Sequence, residues 1–415
     1  MWESLFDRLV GTIIRHGTLE ITMPDGRRIV AGDGTGDRIA VRLTDPDLPR
    51  RILANPDLAV GEGYMNGTLQ VEGDDLRGFL ALAMRNLGAT AGIDSVRGLW
   101  WHRALALSRR ALRRWHQWNP VPRARANVAH HYDLSAELYE LFLDSDRQYS
   151  CAYFSHPAMT LEEAQYAKKR HIAGKLLIEP GMRVLDIGCG WGGMGLTLAR
   201  DYGARVVGVT LSEEQHKIAT RRAREAGLAD RVDFRLTDYR SVTETFDRVV
   251  SVGMFEHVGV PHYEEYFGAV SDRLAEGGVA LVHTIGRMRP PGITSPWIEK
   301  YIFPGGYIPA LSEMVAPVEK SRLYITDIEM WRLHYAETLR HWHDRFVANE
   351  DRARALYDDR FCRMWRYYLV ASEMTFRHNW QCVFQVQLAH RQDAVPLTRD
   401  YLYAGRGDAH RQAAE

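Results

Sequence analysis

The sequence predicts an α/β protein: a parallel sheet with helices on both faces, preceded by a smaller α+β unit. Three observations carry this. Apolar runs at Arg183–Asp186, Arg205–Thr210, Val232–Leu236, Phe246–Val252 and Gly278–Thr284 alternate with stretches of helical character, the pattern of repeated βα units. The first run passes into Gly188-Cys-Gly190-Trp-Gly192-Gly193. Glycine tolerates positive φ and lets backbone approach a ligand closely, so this strand-to-helix turn suits a nucleotide-like cofactor. Residues 1 to 90, by contrast, mix short strands and helices without that alternation.

In chain order, a first helix leads to a strand at Leu19–Met23, the turn Pro24-Asp25-Gly26 and a second strand at Arg28–Val30. Ile39–Leu43 and Gly67–Glu72 read as further strands, and Pro49–Ala54 as a short helix. Asp74 or Asp75 is placed to cap a helix over Leu76–Arg85. No catalytic cluster stands out in this unit. From Ser95 to Tyr132 the chain has no Asp or Glu, yet it carries Arg97, Arg103, Arg109, Arg110, Arg113, Arg114, Arg123 and Arg125. On a helix, Trp100, Trp101, Ala104, Leu105, Leu107, Leu112 and Trp115 share one face and most of the arginines the other. That is the pattern of a helix lying on an anionic membrane surface; the rival is a helix packed on its own domain with its arginines in solvent. Nucleic acid is not expected, since nothing else in the chain is comparably basic. Asn119-Pro-Val-Pro122 marks a linker, dividing the chain into 1–120 and 121–415. Beyond Gly286 the sequence becomes long and aromatic, with Trp297, Tyr301, Tyr307, Trp331 and Tyr335, which reads as a mostly helical cover over the strand ends.

Charge and cysteine usage narrow the class. Lys+Arg and Asp+Glu both number 53, so net charge selects no partner. Cys151, Cys189, Cys362 and Cys382 show neither CxxC spacing nor disulfide density, which fits a reducing cytosol. No apolar run approaches the roughly 18 residues of a membrane span, and Glu3 and Asp7 interrupt what would be a signal peptide's start. A soluble, cytoplasmic protein is expected.

A dinucleotide site would place an acid after the second strand, but Thr210-Leu-Ser212 and Gln215 stand there, so NAD is disfavoured. Asp238, after the third strand, suits either an adenine amino group or a backbone turn. Asp186 suits a charged amino group, directly or through the loop. Glu256, His283 and Tyr335 fall at strand ends or in the cover, where ligand chemistry occurs in open α/β sheets. Cys151 alone reads as a packed thiol. The pairs His130-His131 and His341-Trp-His343 have no further ligand at metal spacing, and no metal is expected.

HHYDLS (130–135), YSCAYF (149–154), LDIGCGWGG (185–193), GVTLSEEQ (208–215), MFEHVG (254–259), VHTIG (282–286) and WIEKYIFPGG (297–306) together resemble the cyclopropane-fatty-acyl-phospholipid synthase family, related to the mycolic acid cyclopropane synthases. The resemblance covers almost the whole chain. It implies a Rossmann-like class I S-adenosylmethionine-dependent methyltransferase fold with a helical cover, and a small N-terminal α+β lipid-handling domain. It further implies S-adenosylmethionine as donor, a phospholipid with an unsaturated acyl chain as acceptor, and a bound bicarbonate that removes a proton from the new methyl group. By position, Cys151 and Ile285 through their backbones, and Glu256, His283 and Tyr335, correspond to the residues holding that anion. Ser150, Gly188, Gly190, Thr210, Gln215 and Asp238 correspond to those holding the donor, with Asp186 and Gly192 in the same loop. A homodimer at the inner face of the membrane is the expected working form. An alternative product is a methyl-branched or methylene chain. Some relatives carry a cysteine where this chain has Ala371-Ser372-Glu373; the proposed chemistry needs no covalent intermediate, so activity is still expected.

Overall fold

The structure, a computed structural model, describes residues 2–89 and 135–403. The amphipathic stretch Trp100–Trp115, the linker Asn119–Pro122, the division at 120/121 and nearly all of the 130–135 motif lie outside the described residues.

The N-terminal unit is a four-stranded sheet, β1 (Thr18–Thr22), β2 (Arg28–Ala31), β3 (Arg38–Leu43) and β4 (Leu69–Val71), ordered β2-β1-β3-β4. Pro24–Gly26 closes the expected hairpin: Gly26 N–H donates to Met23 O at 2.9 Å, and the Asp25 carboxylate accepts from Arg27 N–H at 2.9 Å. Leu19, Ile21, Ile29, Ala31, Val41 and Leu43 point inward against Phe6, Leu9 and Val10 of the first helix, Trp2–Ile13. The short helix runs over Leu48–Ala54, and Asp75 caps the helix Leu76–Ala89 by accepting from Gly78 N–H at 2.8 Å. One helix, Pro56–Met65, was not expected. Gly61 and Gly63 depress its propensity, and tertiary packing supplies what propensity lacks.

The larger unit is a seven-stranded sheet: β5 (Arg183–Ile187), β6 (Arg205–Thr210), β7 (Val232–Leu236), β8 (Phe246–Val252), β9 (Leu274–Arg287), β10 (Tyr324–Trp331) and β11 (Gln381–Ala389). Its order is β10-β11-β9-β8-β5-β6-β7. All five expected strands are present and parallel. The sheet is nevertheless mixed, because β11 lies antiparallel to β9, and β10 antiparallel to β11. The region read as a mostly helical cover thus contributes two strands. Buried polar residues hid them: Gln385 and Gln387 on β11 reach His283 and the carbonyl of Lys175, while Asp327 and Glu329 on β10 pair with Lys175. Such alternation looks like a solvent face in sequence. The cover also holds the helices Pro296–Tyr301, Leu311–Lys320, His334–Ala348, Glu350–Leu356 and Asp359–His378. From β5 the chain moves outward to β6 and β7, then returns to the other side of β5 as β8. The crevice at this reversal, outside the strands' carboxyl ends, is where such sheets bind ligands.

The two units share an apolar core running from Phe6 and Leu43 to Trp297 and Trp365. Trp297 is buried against the helix Pro56–Met65, its indole N–H directed at Met65 Sδ (3.1 Å). Around it, Lys300 and Tyr301 meet Glu62 at 2.7 and 2.8 Å, and Arg77 reaches the buried Glu373 at 3.1 Å. Trp297 and Tyr301 therefore face the N-terminal unit rather than the strand ends. A Cβ on Gly61 would lie 2.4 Å from Trp297 Cδ1. Gly61→Ala is expected to cost about 1–3 kcal/mol through overpacking, read as a lower urea midpoint at unchanged slope.

Candidate functional site

The loop after β5 builds the first half of the site. Gly188 and Gly190 have φ of +80° and +54°, the left-handed region that favours glycine. A Cβ on Gly188 would sit 2.9 Å from Met254, whereas one on Gly190 would meet nothing within 4 Å, so at Gly190 the backbone faces open space. Gly192 is needed for packing: Phe234 Cζ lies 2.6 Å from where its Cβ would be. The loop borders a cavity of about 160 Å³ at the sheet reversal, and Ser150, Asp186, Gly188, Gly190, Thr210, Gln215 and Asp238 all line it. Gly192 does not; it stands behind the wall.

The polar groups of this wall are pre-positioned. Ser212 caps the helix Glu213–Glu225, and Thr210 Oγ1 donates to Gln215 Oε1 at 2.9 Å. Asp238 caps the turn at Arg240 and takes the Arg240 guanidinium at 2.8 and 2.9 Å, so its carboxylate serves the backbone turn while lining the cavity. Asp186 is different. Its Oδ2 is buried with no hydrogen-bond partner among the described residues, and burial pushes its carboxyl up to about 7. A charged amino group would satisfy that oxygen and restore the carboxylate.

Sequence reasoning missed Lys168, on the helix Leu161–Lys175. In Gln165-Tyr-Ala-Lys168-Lys169-Arg170 it looks like a solvated charge, but it is fully buried. Its ammonium donates to Gln148 Oε1 and Ser150 Oγ, both at 2.7 Å, and both residues line the cavity. Burial pushes it down to about 7, against the pull of Asp144. Lys168→Met is expected to release Gln148 and Ser150 from this hold and so to weaken binding of the cavity's ligand about tenfold or more, on the scale of a lost charge-assisted hydrogen bond, with a smaller change in kcat; calorimetry with steady-state kinetics checks both. Tyr149, Trp191 and His257 also line the cavity and were not singled out. Burial holds His257 down to about 4, hence neutral.

A second cluster lies beside the first. Glu256 sits in the turn Phe255–His257 after β8, and its Oε1 accepts the Ile285 N–H at 2.7 Å. The Ile285 amide is thus engaged by a side chain of the same candidate group. Glu256 Oε2 is buried without a partner among the described residues, and burial pushes the carboxyl up to about 7. His283, two residues before Ile285 on the same face of β9, is buried edge-on to Trp331 (5.1 Å) with Nδ1 3.1 Å from Gln385 Nε2. Burial, Lys168 and Lys175 hold its pKa well below the ordinary value, so the ring stays neutral. Trp331 Nε1 and Gln385 Oε1 are further buried polar atoms without partners there.

Cys151 and Tyr335 stand on other elements and make their own contacts there. Cys151 is fully buried and its thiol is pushed up by burial, as for a packed cysteine. The next residue's N–H donates to Thr338 Oγ1 at 3.0 Å, pinning this segment to the helix His334–Ala348. Tyr335 lies one turn earlier on that helix, packed on Phe376 (4.9 Å) and Trp342 (5.8 Å). Tyr149, which lines the cavity, packs tilted on the same Trp342 (5.1 Å), so aromatic rings run from the cavity to Tyr335. Among the described residues, no three His, Cys, Asp or Glu side chains gather to hold a metal, and no helix is long and apolar enough to cross a membrane.

This arrangement can be set against known proteins. The family model for mycolic acid cyclopropane synthetase matches residues 121–386, and a domain family of unknown function matches 5–91. Cyclopropane-fatty-acyl-phospholipid synthase of Escherichia coli (strain K12) is 39% identical over 350 residues, 83% of this chain and 87% of that protein. Tuberculostearic acid methyltransferase UfaA1 of Mycobacterium tuberculosis is 35% identical over 92% of this chain and 90% of its own. The cyclopropane synthase MmaA2 from Mycobacterium tuberculosis superposes with a TM-score of 0.62 at 33% identity, over 65% of this chain and 99% of that one. The mycolic acid cyclopropane synthase CmaA1, solved with S-adenosylhomocysteine, gives 0.61 at 33% identity, over 66% and 99%. A fold with its ligand crevice at the β5/β8 reversal, and a match running through the glycine loop and β9 into β11, lead to one conclusion: the chain belongs to the mycolic acid cyclopropane synthetase family of S-adenosylmethionine-dependent methyltransferases.

Proposed function

We propose that this protein converts the double bond of an unsaturated phospholipid acyl chain into a cyclopropane ring, with S-adenosylmethionine as the one-carbon donor. The observation that carries the reading is the pair of buried, unpartnered carboxyl oxygens at one sheet edge. Asp186 Oδ2 belongs to the glycine-bordered cavity, and Glu256 Oε2 to the cluster with Ile285 and His283. The name and 39% identity of the Escherichia coli relative support the substrate class.

In this reading Ser150, Asp186, Gly188, Gly190, Thr210, Gln215 and Asp238 form the donor site, with Asp186 taking the charged amino group and Gly192 packing behind the loop. When bound, S-adenosylmethionine supplies an electrophilic methyl group, and a bicarbonate at Glu256, His283, Tyr335 and the backbones of Cys151 and Ile285 supplies a base for the proton lost at ring closure. The unpartnered Trp331 Nε1 beside His283 supports an anion there, since it is a buried donor. Glu256, near neutrality, and the neutral His283 can orient a small anion by both donating and accepting. Tyr149, Tyr335, Trp342 and Phe376 exclude water and offer π faces to a cationic carbon. The N-terminal unit, to about residue 120, handles lipid, and residues 121–415 carry catalysis at a membrane surface.

Incubated with the donor and vesicles of a monounsaturated phosphatidylglycerol, the purified protein is expected to release S-adenosylhomocysteine and modified lipid in equal amounts. Saturated lipid should give neither. Activity should fall when bicarbonate is stripped from protein and buffer. Release of S-adenosylhomocysteine without lipid modification would overturn the substrate assignment; full activity after complete bicarbonate removal would overturn the base. UfaA1, matched over 92% of this chain, supports a second reading in which the same methyl transfer ends in a branched chain.

A further inference from the structure

Three neighbouring strands end together at the sheet edge that carries the site. Arg287 on β9 pairs with Gln381 on β11, and Val383 on β11 pairs with Trp331 on β10. Just beyond these pairs each strand puts one large apolar side chain into solvent: Met288 is 51% exposed, Trp380 54% and Leu333 51%. Adjacent strands lie about 4.8 Å apart, so the three tips form a row roughly 10 Å across. The segments around them, 287–292, 331–333 and 378–380, contain Arg287, Arg289 and Arg332 and no Asp or Glu. Arg289 lies over the Trp380 ring at 5.3 Å, and Arg332 is exposed.

Trp380 is held out at some cost. Its φ is +62°, a conformation that favours glycine, and its carbonyl is fixed by Met288 N–H at 2.9 Å. The core gains little from an indole left half in water. The position does have a use at this edge, because Met288 lies three residues beyond Ile285, whose amide holds Glu256.

We propose that this edge is the surface the protein lays on an anionic phospholipid bilayer. Met288, Leu333 and Trp380 enter the boundary between headgroups and chains, and Arg289 and Arg332 meet lipid phosphates. The inference rests on the lipid-substrate reading and adds to it the place where an acyl chain is drawn in. Apolar tips rimmed by arginines, without an acid, complement a negative surface. A protein partner would need about 800 Å² on each side, more than three separate tips offer.

The test uses the full chain with vesicles of phosphatidylglycerol and phosphatidylcholine, and with phosphatidylcholine alone. One variant combines Met288→Ser, Leu333→Ser and Trp380→Gly, the last matching the backbone conformation; a second combines Arg289→Gln and Arg332→Gln. Unchanged S-adenosylhomocysteine affinity by calorimetry certifies folding. The apolar variant is expected to lose about tenfold or more in co-sedimentation with anionic vesicles, and the arginine variant to lose its preference for them. Methyl transfer to vesicle lipid should fall in step, while transfer to the same lipid in detergent micelles stays nearly unchanged. Parental vesicle binding in both variants overturns the proposal, as does loss of binding only when Arg109, Arg110, Arg113 and Arg114 are replaced. A changed subunit number at unchanged vesicle binding would assign the edge to a second copy and also overturn it. A parent inactive on phospholipid in any form overturns the substrate reading itself.

Discussion

Glu256→Gln is expected to cut kcat by about 10²–10⁴-fold, the range spanned by proton-handling groups, while S-adenosylhomocysteine affinity stays nearly unchanged. The reason is geometric. Glu256 reaches Ile285 N–H on β9 rather than the cavity wall, and the glycine-bordered cavity proposed for the donor is lined without it. Glutamine keeps the bond to Ile285 but can neither gain nor lose a proton. The substitution also leaves a signature in stability. The Glu256 carboxyl is raised from 4.5 to about 7 by burial, so the folded state holds its proton more tightly than the unfolded chain does. Its contribution to stability is complete below pH 4.5 and is lost as pH rises through about 7. Urea titrations of the parent should show that loss, and the glutamine variant should not show this component. Equal turnover in variant and parent would remove Glu256 from the chemistry.

Asp186→Asn is expected to weaken S-adenosylhomocysteine binding by about 10- to 100-fold, the worth of a buried charge-assisted hydrogen bond. It should also abolish a proton release. In the free protein the Asp186 carboxyl titrates at about 7, raised chiefly by burial. A bound ammonium group favours the carboxylate, so binding below that pH must expel a proton, and affinity must rise as pH climbs from 5.5 toward about 7. Calorimetry in two buffers of different ionisation heat reads the proton directly. No proton release from the parent would mean that Asp186 does not meet the amino group.

The lining of the glycine-bordered cavity was legible because it is local. Thr210 ends a parallel strand and Gly188, Gly190, Gln215 and Asp238 each follow one, and strand ends are visible in an apolar run that stops. Lys168 was not legible, because a buried lysine and a solvated one read alike until Gln148 and Ser150 are seen to hold it. The antiparallel strands β10 and β11 escaped for a related reason. Their inward polar residues meet Lys175 and His283, partners distant in sequence. In the cover, aromatic content alone could not separate Trp297, which serves the contact with the N-terminal unit, from Tyr335, which packs on Trp342 in the aromatic run from the cavity. The helix Pro56–Met65 is specified by the indole it receives rather than by its own composition.

The central claim, ring formation with a proton lost from the transferred carbon, is tested most directly by donor labelling. The purified protein is given S-adenosylmethionine with a fully deuterated methyl group and a monounsaturated phosphatidylglycerol, and the product chain is analysed by mass spectrometry before and after ozone treatment. The account predicts a chain that has gained one carbon, keeps two of the three deuterium atoms and resists ozone because no double bond remains. A product that keeps all three deuterium atoms, or that ozone still cleaves, would contradict it.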